Sequence, residues 1–199
     1  MKIAVYGATG AIGSAIVEEA RNRGHEVTGI SRRSSDALGH LTGDALDADF
    51  ATGVAEKHDV IVSAIGPSRV EDDGTRFVDS IANLIATVGG RRLLVVGGVS
   101  SLKVDGVRIL DLPNYPEEYR SEATKGVEAY ELVRAAADDV DWTYLSPPML
   151  ILPGERTGSY KVELETPAGE QISIADYAVA LVDEIEQPQH VRERFTVAN

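Results

Sequence analysis

Lys2-Ile-Ala-Val-Tyr6 runs directly into Gly7-Ala-Thr-Gly10-Ala-Ile-Gly13, and this junction decides the fold. The first five residues form a short, nearly uninterrupted apolar run, as expected of a strand covered on both faces. After the glycines, Ile12, Ala15, Ile16 and Ala20 fall at i, i+3 and i+4 spacing, which predicts a helix that closes near Gly24. A glycine-rich turn between a first strand and a first helix is suited to hold a pyrophosphate. Gly7 permits the tight turn, Gly10 lets the backbone approach the phosphates, and Gly13 allows close helix–strand packing. The spacing is G-x-x-G-x-x-G, which differs from the standard dinucleotide fingerprint.

Working outward, four more apolar runs repeat the strand pattern: Glu26–Ile30, Asp59–Ile65, Arg91–Val96 and Asp141–Leu145. A weaker strand is expected near His40–Thr42 and a helix from about Asp47 to Lys57, with Asp47 as its N-cap. Phe77, Ile81, Leu84, Ile85 and Val88 repeat the helical spacing before Gly89-Gly90. Alternating strands and helices predict an α/β fold: a doubly wound, mostly parallel sheet with helices on both faces. Towards the end, Lys161–Leu164 and Ile172–Ile174 read as short strands around Pro167-Ala-Gly169. Ala175–Ile185 reads as an amphipathic helix and Arg194–Val197 as a terminal strand. These form a small, irregular C-terminal substrate region. Residues 1–199 read as one domain, and the long loop from Val99 to Pro116 reads as functional.

The end of the second strand selects the cofactor. Where an NAD site places an acid on the ribose hydroxyl, this chain has Ser31-Arg32-Arg33, which favours a 2′-phosphate and so NADP(H) over NAD(H). Asp44 falls at the adenine edge. Asp44, Asp47 and Asp49 lack calcium-loop spacing, so no metal site is expected. Ala64-Ile65-Gly66-Pro67-Ser68 ends the fourth strand beside the central phosphates and ribose. Gly97-Gly98-Val99-Ser100-Ser101 and Ser146-Pro147-Pro148-Met149 end the fifth and sixth at the same edge, flanking the nicotinamide.

Composition narrows the partners. The chain has 32 acids against 19 bases, a formal charge of −13, which repels phosphate backbones and argues against nucleic acid. With no cysteine there is no thiol nucleophile and no disulfide framework. The uncharged stretch from Ile3 to Val17 is too short and too glycine-rich to span a membrane, and a single Lys2 precedes it in place of an export signal's basic region. A cytoplasmic protein, monomeric or homodimeric, acting on a small-molecule acceptor, is expected.

Together with Tyr115-Pro-Glu-Glu-Tyr119, Trp142-Thr-Tyr-Leu-Ser-Pro-Pro148 and Ser173-Ile-Ala-Asp176-Tyr177, these motifs resemble the atypical short-chain dehydrogenases. Within them the chain is most similar to the NmrA-like NAD(P)H-binding proteins, which resemble NADH-flavin and flavin/biliverdin reductases. The resemblance implies a Rossmann-type fold over the whole chain. It implies that Thr9, Gly10, Ala11 and Ile12 hold the pyrophosphate and that Arg32 meets the adenosine phosphate. Ser100 would be the catalytic residue beside the nicotinamide and the acceptor. Pro147 would line the cofactor, and Ser101, Tyr119, Pro148 and Met149 the acceptor. Met149 stands where biliverdin-reductase-like relatives often carry histidine.

No tyrosine has a lysine four residues later: Tyr119 meets Ala123, Tyr130 meets Arg134 and Tyr160 meets Leu164. Carbonyl-reducing short-chain dehydrogenases need that pair to activate the phenol. His25, His40, His58 and His190 read as surface or capping residues, and no G-x-S-x-G elbow or Walker lysine is present. The reading is therefore an NAD(P)H-dependent oxidoreductase that passes hydride to a free flavin or quinone-like aromatic acceptor, taking its proton from water. The alternatives are a non-catalytic NADP(H) sensor and a nucleotide-sugar epimerase or dehydratase.

Overall fold

Alternation along the first strand already sorts the chain into layers. In β1 (Lys2–Tyr6), Ile3 and Val5 face one side and Ala4 and Tyr6 the other, and all four are buried. The computed structural model describes residues 1–67 and 74–199. After β1 come α1 (Ala11–Asn22), β2 (Glu26–Ser31), β3 (His40–Thr42), α2 (Ala48–Ala55) and β4 (Val60–Ser63). Next are α3 (Thr75–Thr87), β5 (Arg92–Val96), β6 (Lys103–Val104), β7 (Val107–Arg108) and α4 (Arg120–Arg134). The chain closes with β8 (Trp142–Ser146), β9 (Leu150–Leu152), β10 (Lys161–Glu163), β11 (Gln171–Ser173), α5 (Ile174–Glu186) and β12 (Glu193–Ala198).

Eight strands form one sheet in the order β10-β12-β8-β5-β4-β1-β2-β3, all parallel except the edge strand β10. Helices α1 and α5 cover one face, where Ile16, Tyr177 and Leu181 pack on Val5, Val62 and Leu94. Helices α2, α3 and α4 cover the other, with Phe77, Ile81 and Tyr130 against Ile61, Leu93 and Tyr144. Burying each of these large side chains contributes about 1.5–3 kcal/mol. The doubly wound, Rossmann-type sheet is thus the observed fold.

Chain order reverses between β1 and β4. Tyr6 is in register with Ile30 on one side and Ser63 on the other, so the turns after β1, β2 and β4 leave the sheet at one level. That is where a crevice opens in a sheet of this kind.

Some boundaries differ from expectation. The fourth strand stops at Ser63; Ala64 and Ile65 have turned away from the ladder to line the crevice. The segment from Val99 to Pro116 is not an open loop. It folds as a β6–β7 hairpin followed by a 3₁₀ turn over Ile109–Asp111, and Leu102, Ile109 and Leu110 are buried beneath it. Short strand β9, parallel to β11, carries little strand signal because it begins one residue after Pro147-Pro148. As expected, Asp47 caps α2, accepting from the Phe50 N–H at 3.0 Å. His58 also caps, with its ring nitrogens 2.7 Å from the Val54 carbonyl and 2.9 Å from Thr28 Oγ1, but it is buried.

Asp176 orders the C-terminal region. Fully buried, it accepts from the Thr157 and Gly158 N–H groups (both 2.8 Å), the Thr157 hydroxyl (2.6 Å) and Asn199 Nδ2 (2.8 Å). Burial pushes its carboxyl up, and these donors more than offset that, holding it below the ordinary range. The loop before β10 and the chain end are thereby tied to α5, fixing the region that carries β9 to the crevice.

Candidate functional site

Three glycines shape the turn after β1, each for a different reason. Gly7 adopts φ +79°, and a Cβ there would lie 2.4 Å from the Ala64 carbonyl oxygen, so it permits close approach of β4's exit. A Cβ on Gly13 would lie 2.2 Å from the Gly7 carbonyl oxygen, so the helix is pressed against the loop itself. The packing expected between helix and strand is therefore between helix and turn. Gly10 is different: it is exposed, extended, and a Cβ there would meet only Gly7 O at 3.3 Å. It is the N-cap of α1, but among the described residues no side chain caps this helix, and no acid sits in its first turn. The leading N–H groups of α1, with the positive end of its dipole, are thus left to an anion.

Two clefts meet above this turn. The first, about 220 Å³, is lined by Gly7, Thr9 and Gly10, by Ser31, Arg32 and Arg33, and by Asp44. Ala64, Ile65 and Gly66 border both clefts. The second, about 590 Å³, adds Ile12, Ser100, Tyr119, Pro147, Pro148 and Met149. Gly66 and Gly98 line it where a Cβ would meet nothing within 4 Å among the described residues, so no contact seen there requires glycine at either position. Their bareness keeps the cleft open. The elongated space and the uncapped helix fit a dinucleotide.

Most residues expected at the site are therefore brought together. Ala11 starts α1 and Gly13 lies buried within it; neither lines a cleft. Ser68 lies outside the described residues. The Ser31 hydroxyl is already engaged, donating to the Arg33 carbonyl at 2.7 Å and lying 3.2 Å from His40 Nε2. It shapes the arginine turn. Asp44 pairs with Arg76 on the first turn of α3, a cleft residue that strand-end reasoning could not have found. No group of three or more potential metal ligands occurs among the described residues.

Ser101 is a correction. It is buried away from the acceptor cleft, and its hydroxyl accepts from Arg194 Nη1 at 2.8 Å. In the turn beyond β5 the bond to Arg194 holds Ser101 inward, and Ser100 lines the cleft. There Ser100 Oγ and the Tyr115 hydroxyl share a hydrogen bond of 3.0 Å. Tyr115, and not Tyr119, makes this contact; Tyr119 stands at the rim, 44% exposed. Of the seven tyrosines, only these two line the second cleft. Tyr144 lies beneath it as a wedge, filling the space a Gly97 side chain would take. Burial pushes its hydroxyl up to about 12, and it is bonded to Gly98 N and Gly126 O. Tyr6, at the first cleft, is likewise raised by burial. Neither is an acid at neutral pH.

Comparisons with known proteins agree with this geometry. The YwnB protein of Bacillus subtilis, which has no characterised function, is 36% identical, with 100% of this chain and 99% of that one aligned. A solved structure from Streptococcus pneumoniae, SP1627, named for a proposed NADH-flavin reductase activity, is 34% identical. It superposes with a TM-score of 0.90 over 100% of this chain and 99% of that one. A Burkholderia pseudomallei structure, named for proposed export, is 36% identical with a TM-score of 0.90 and full coverage of both chains. No helix among the described residues is long and apolar enough to cross a membrane. The family model described as NAD(P)H-binding matches residues 7–188, from the first glycine of the turn to just past the end of α5. The chain belongs to this NAD(P)H-binding family.

Proposed function

We propose that the protein is an NADPH-dependent reductase that passes a hydride to a flat aromatic acceptor, either a free flavin or a quinone. One observation carries the reading: a narrow cleft with the arginine turn at one end opens, across Ala64–Gly66, into a wider cleft walled by Pro147, Pro148 and Met149. The first matches an adenosine half in size and charge. The second has room for a nicotinamide and a second ring side by side. The flavin-reductase name of the pneumococcal relative supports the acceptor class.

When bound, the nicotinamide cofactor supplies the hydride. The chain's own residues position the reactants. Backbone N–H groups from Thr9 to Ile12 hold the pyrophosphate at the start of α1, and Arg32 and Arg33 meet the 2′-phosphate. Asp44 adds little repulsion there, because Arg76 compensates its charge. Ile12, Ile65 and the two prolines exclude water from the transfer, and Ser100 orients the ring above them.

Arg32→Ala tests the cofactor choice. Loss of a charge-assisted contact costs about 1.5–3 kcal/mol, so NADPH should bind roughly tenfold or more weakly while NADH changes little. Fluorescence titration with both nucleotides decides it. Equal losses for the two would show that the arginine does not read the 2′-phosphate. Oxidation of NADPH with and without FMN or 2-methyl-1,4-naphthoquinone tests the reaction.

A further inference from the structure

The wide cleft holds a pair of bonded hydroxyls whose chemistry goes beyond orienting a ring. Ser100 Oγ and the Tyr115 hydroxyl lie 3.0 Å apart at its wall, just beyond β5. Ser100 is 7% exposed. The Tyr115 ring rests on Leu110, Ala123 and Val127, and Arg120 stands over it with its guanidinium carbon 5.5 Å from the ring centre. Arg120 Nη1 also donates to the Leu110 carbonyl at 3.2 Å, tying α4 to the turn beneath the ring. The phenol is therefore fixed from below, from above and at its oxygen, in a wall whose other polar side chains are Tyr119 and Glu122 among the described residues.

We infer that Tyr115 and Ser100 form a proton-donating dyad that binds a carbonyl oxygen of the acceptor, which makes the acceptor a quinone. This rests on the reductase reading above and deepens it. Reducing a quinone to a hydroquinone takes two electrons and two protons. The C–H bond of the nicotinamide breaks, and its hydride forms an O–H bond at one quinone carbonyl. The displaced electron pair passes through the ring to the other oxygen, which takes the Tyr115 proton. Water returns a proton to the Tyr115 oxygen through the Ser100 hydroxyl. The nicotinamide is left oxidised and the quinone reduced by two electrons. A hydroquinone oxygen is itself phenolic, so the proton passes between oxygens of one chemical type, and the step does not call for a lysine beside the tyrosine. A flavin offers no equivalent demand, since its reduction places protons on ring nitrogens.

The test uses wild type, Tyr115→Phe and Ser100→Ala, with two readouts. One is NADPH-dependent turnover of 2-methyl-1,4-naphthoquinone across pH. The other is equilibrium binding, by visible absorption, of the coloured 2-hydroxy-1,4-naphthoquinone anion to the protein with NADP⁺. Tyr115→Phe keeps the ring and its packing. It should lower quinone turnover by roughly a hundredfold and weaken the anion by about tenfold, with NADPH affinity unchanged. Ser100→Ala should weaken the anion in the same direction. If Tyr115→Phe stays within about threefold of wild type in both readouts, the dyad is overturned while the reductase stands. The dyad is overturned in the same way if wild type reduces FMN but no quinone. If wild type does not bind NADPH, the reading beneath falls, and the dyad with it.

Discussion

Gly10→Val is expected to abolish NADPH binding and to melt only about 2–4 °C below wild type. The position explains both halves of that result. Gly10 is exposed and extended, a conformation valine adopts readily, and its Cβ would meet a single backbone atom at 3.3 Å. Gly7 O need give by only a few tenths of an ångström, so the main cost to the fold is the loss of a glycine N-cap, about 1 kcal/mol. The branched side chain, however, projects over the first N–H groups of α1, into the space a pyrophosphate needs. Gly7→Val and Gly13→Val should behave differently. Each would drive a Cβ to within 2.4 Å of a carbonyl oxygen, and Gly7 also sits at φ +79°. Both variants should lose the fold along with the cofactor. Thermal melts combined with NADPH titration separate the cases. A folded Gly10→Val protein with wild-type affinity would remove the cofactor cleft from consideration.

Glu184→Ala should cost about 3–5 kcal/mol, the penalty for stranding charged groups inside a packed region. Glu184 is 4% exposed, yet it lies at the meeting of β5, β8, α5 and the turn into β12. Its carboxylate pairs with Arg92, lies 2.8 Å from His190 Nδ1, and accepts from the backbone N–H groups of Gln189 (3.1 Å) and His190 (3.0 Å). Arg92 also donates to Thr143 Oγ1 at 2.9 Å, and the His190 ring stacks on Phe195. Burial pushes the Glu184 carboxyl up, but the His190 and Gln189 N–H groups, the His190 ring and Arg92 together hold it below its ordinary value. A carboxyl lowered in the folded state stabilises the protein fully above the unfolded carboxyl's pKa. That contribution disappears as pH falls through the folded value. Urea unfolding of wild type should accordingly show stability falling on the acid side, and Glu184→Ala should show a shallower fall from a lower plateau. A loss below about 1 kcal/mol at neutral pH would contradict this role for Glu184.

Legibility differed sharply between the two halves of the site. The β1 turn could be read from sequence because glycine spacing and apolar runs are local signals, and the sheet register then brings Ser31, just before Arg32, and Ala64 to the level of Gly7. The parallel, doubly wound character of the sheet followed from the alternation, whereas its full strand order comes from the structure. Tyr115 could not be read that way. Both Tyr115 and Tyr119 belong to one short motif, and the choice between them is made by the β6–β7 hairpin and the 3₁₀ turn, which seat the Tyr115 ring on Leu110. Ser101 was misplaced for a related reason. Ser100-Ser101 looks symmetrical in sequence, and only the buried Arg194 arriving from β12 breaks the tie. Arg76 was invisible because its partner Asp44 is 32 residues away. For Ser101 and Arg76 the deciding contact is long-range, and for Tyr115 it depends on a local turn with no sequence signature, whereas the cofactor turn is built within a dozen residues.

The central claim is that this chain turns NADPH over, and anaerobic loss of the reduced nicotinamide absorbance measures it most directly. With catalytic amounts of protein and excess 2-methyl-1,4-naphthoquinone or FMN, many equivalents of NADPH should be consumed per protein, with NADH used less efficiently. Tight NADPH binding with no acceptor-dependent consumption would contradict the claim and leave a nucleotide sensor in place of a reductase.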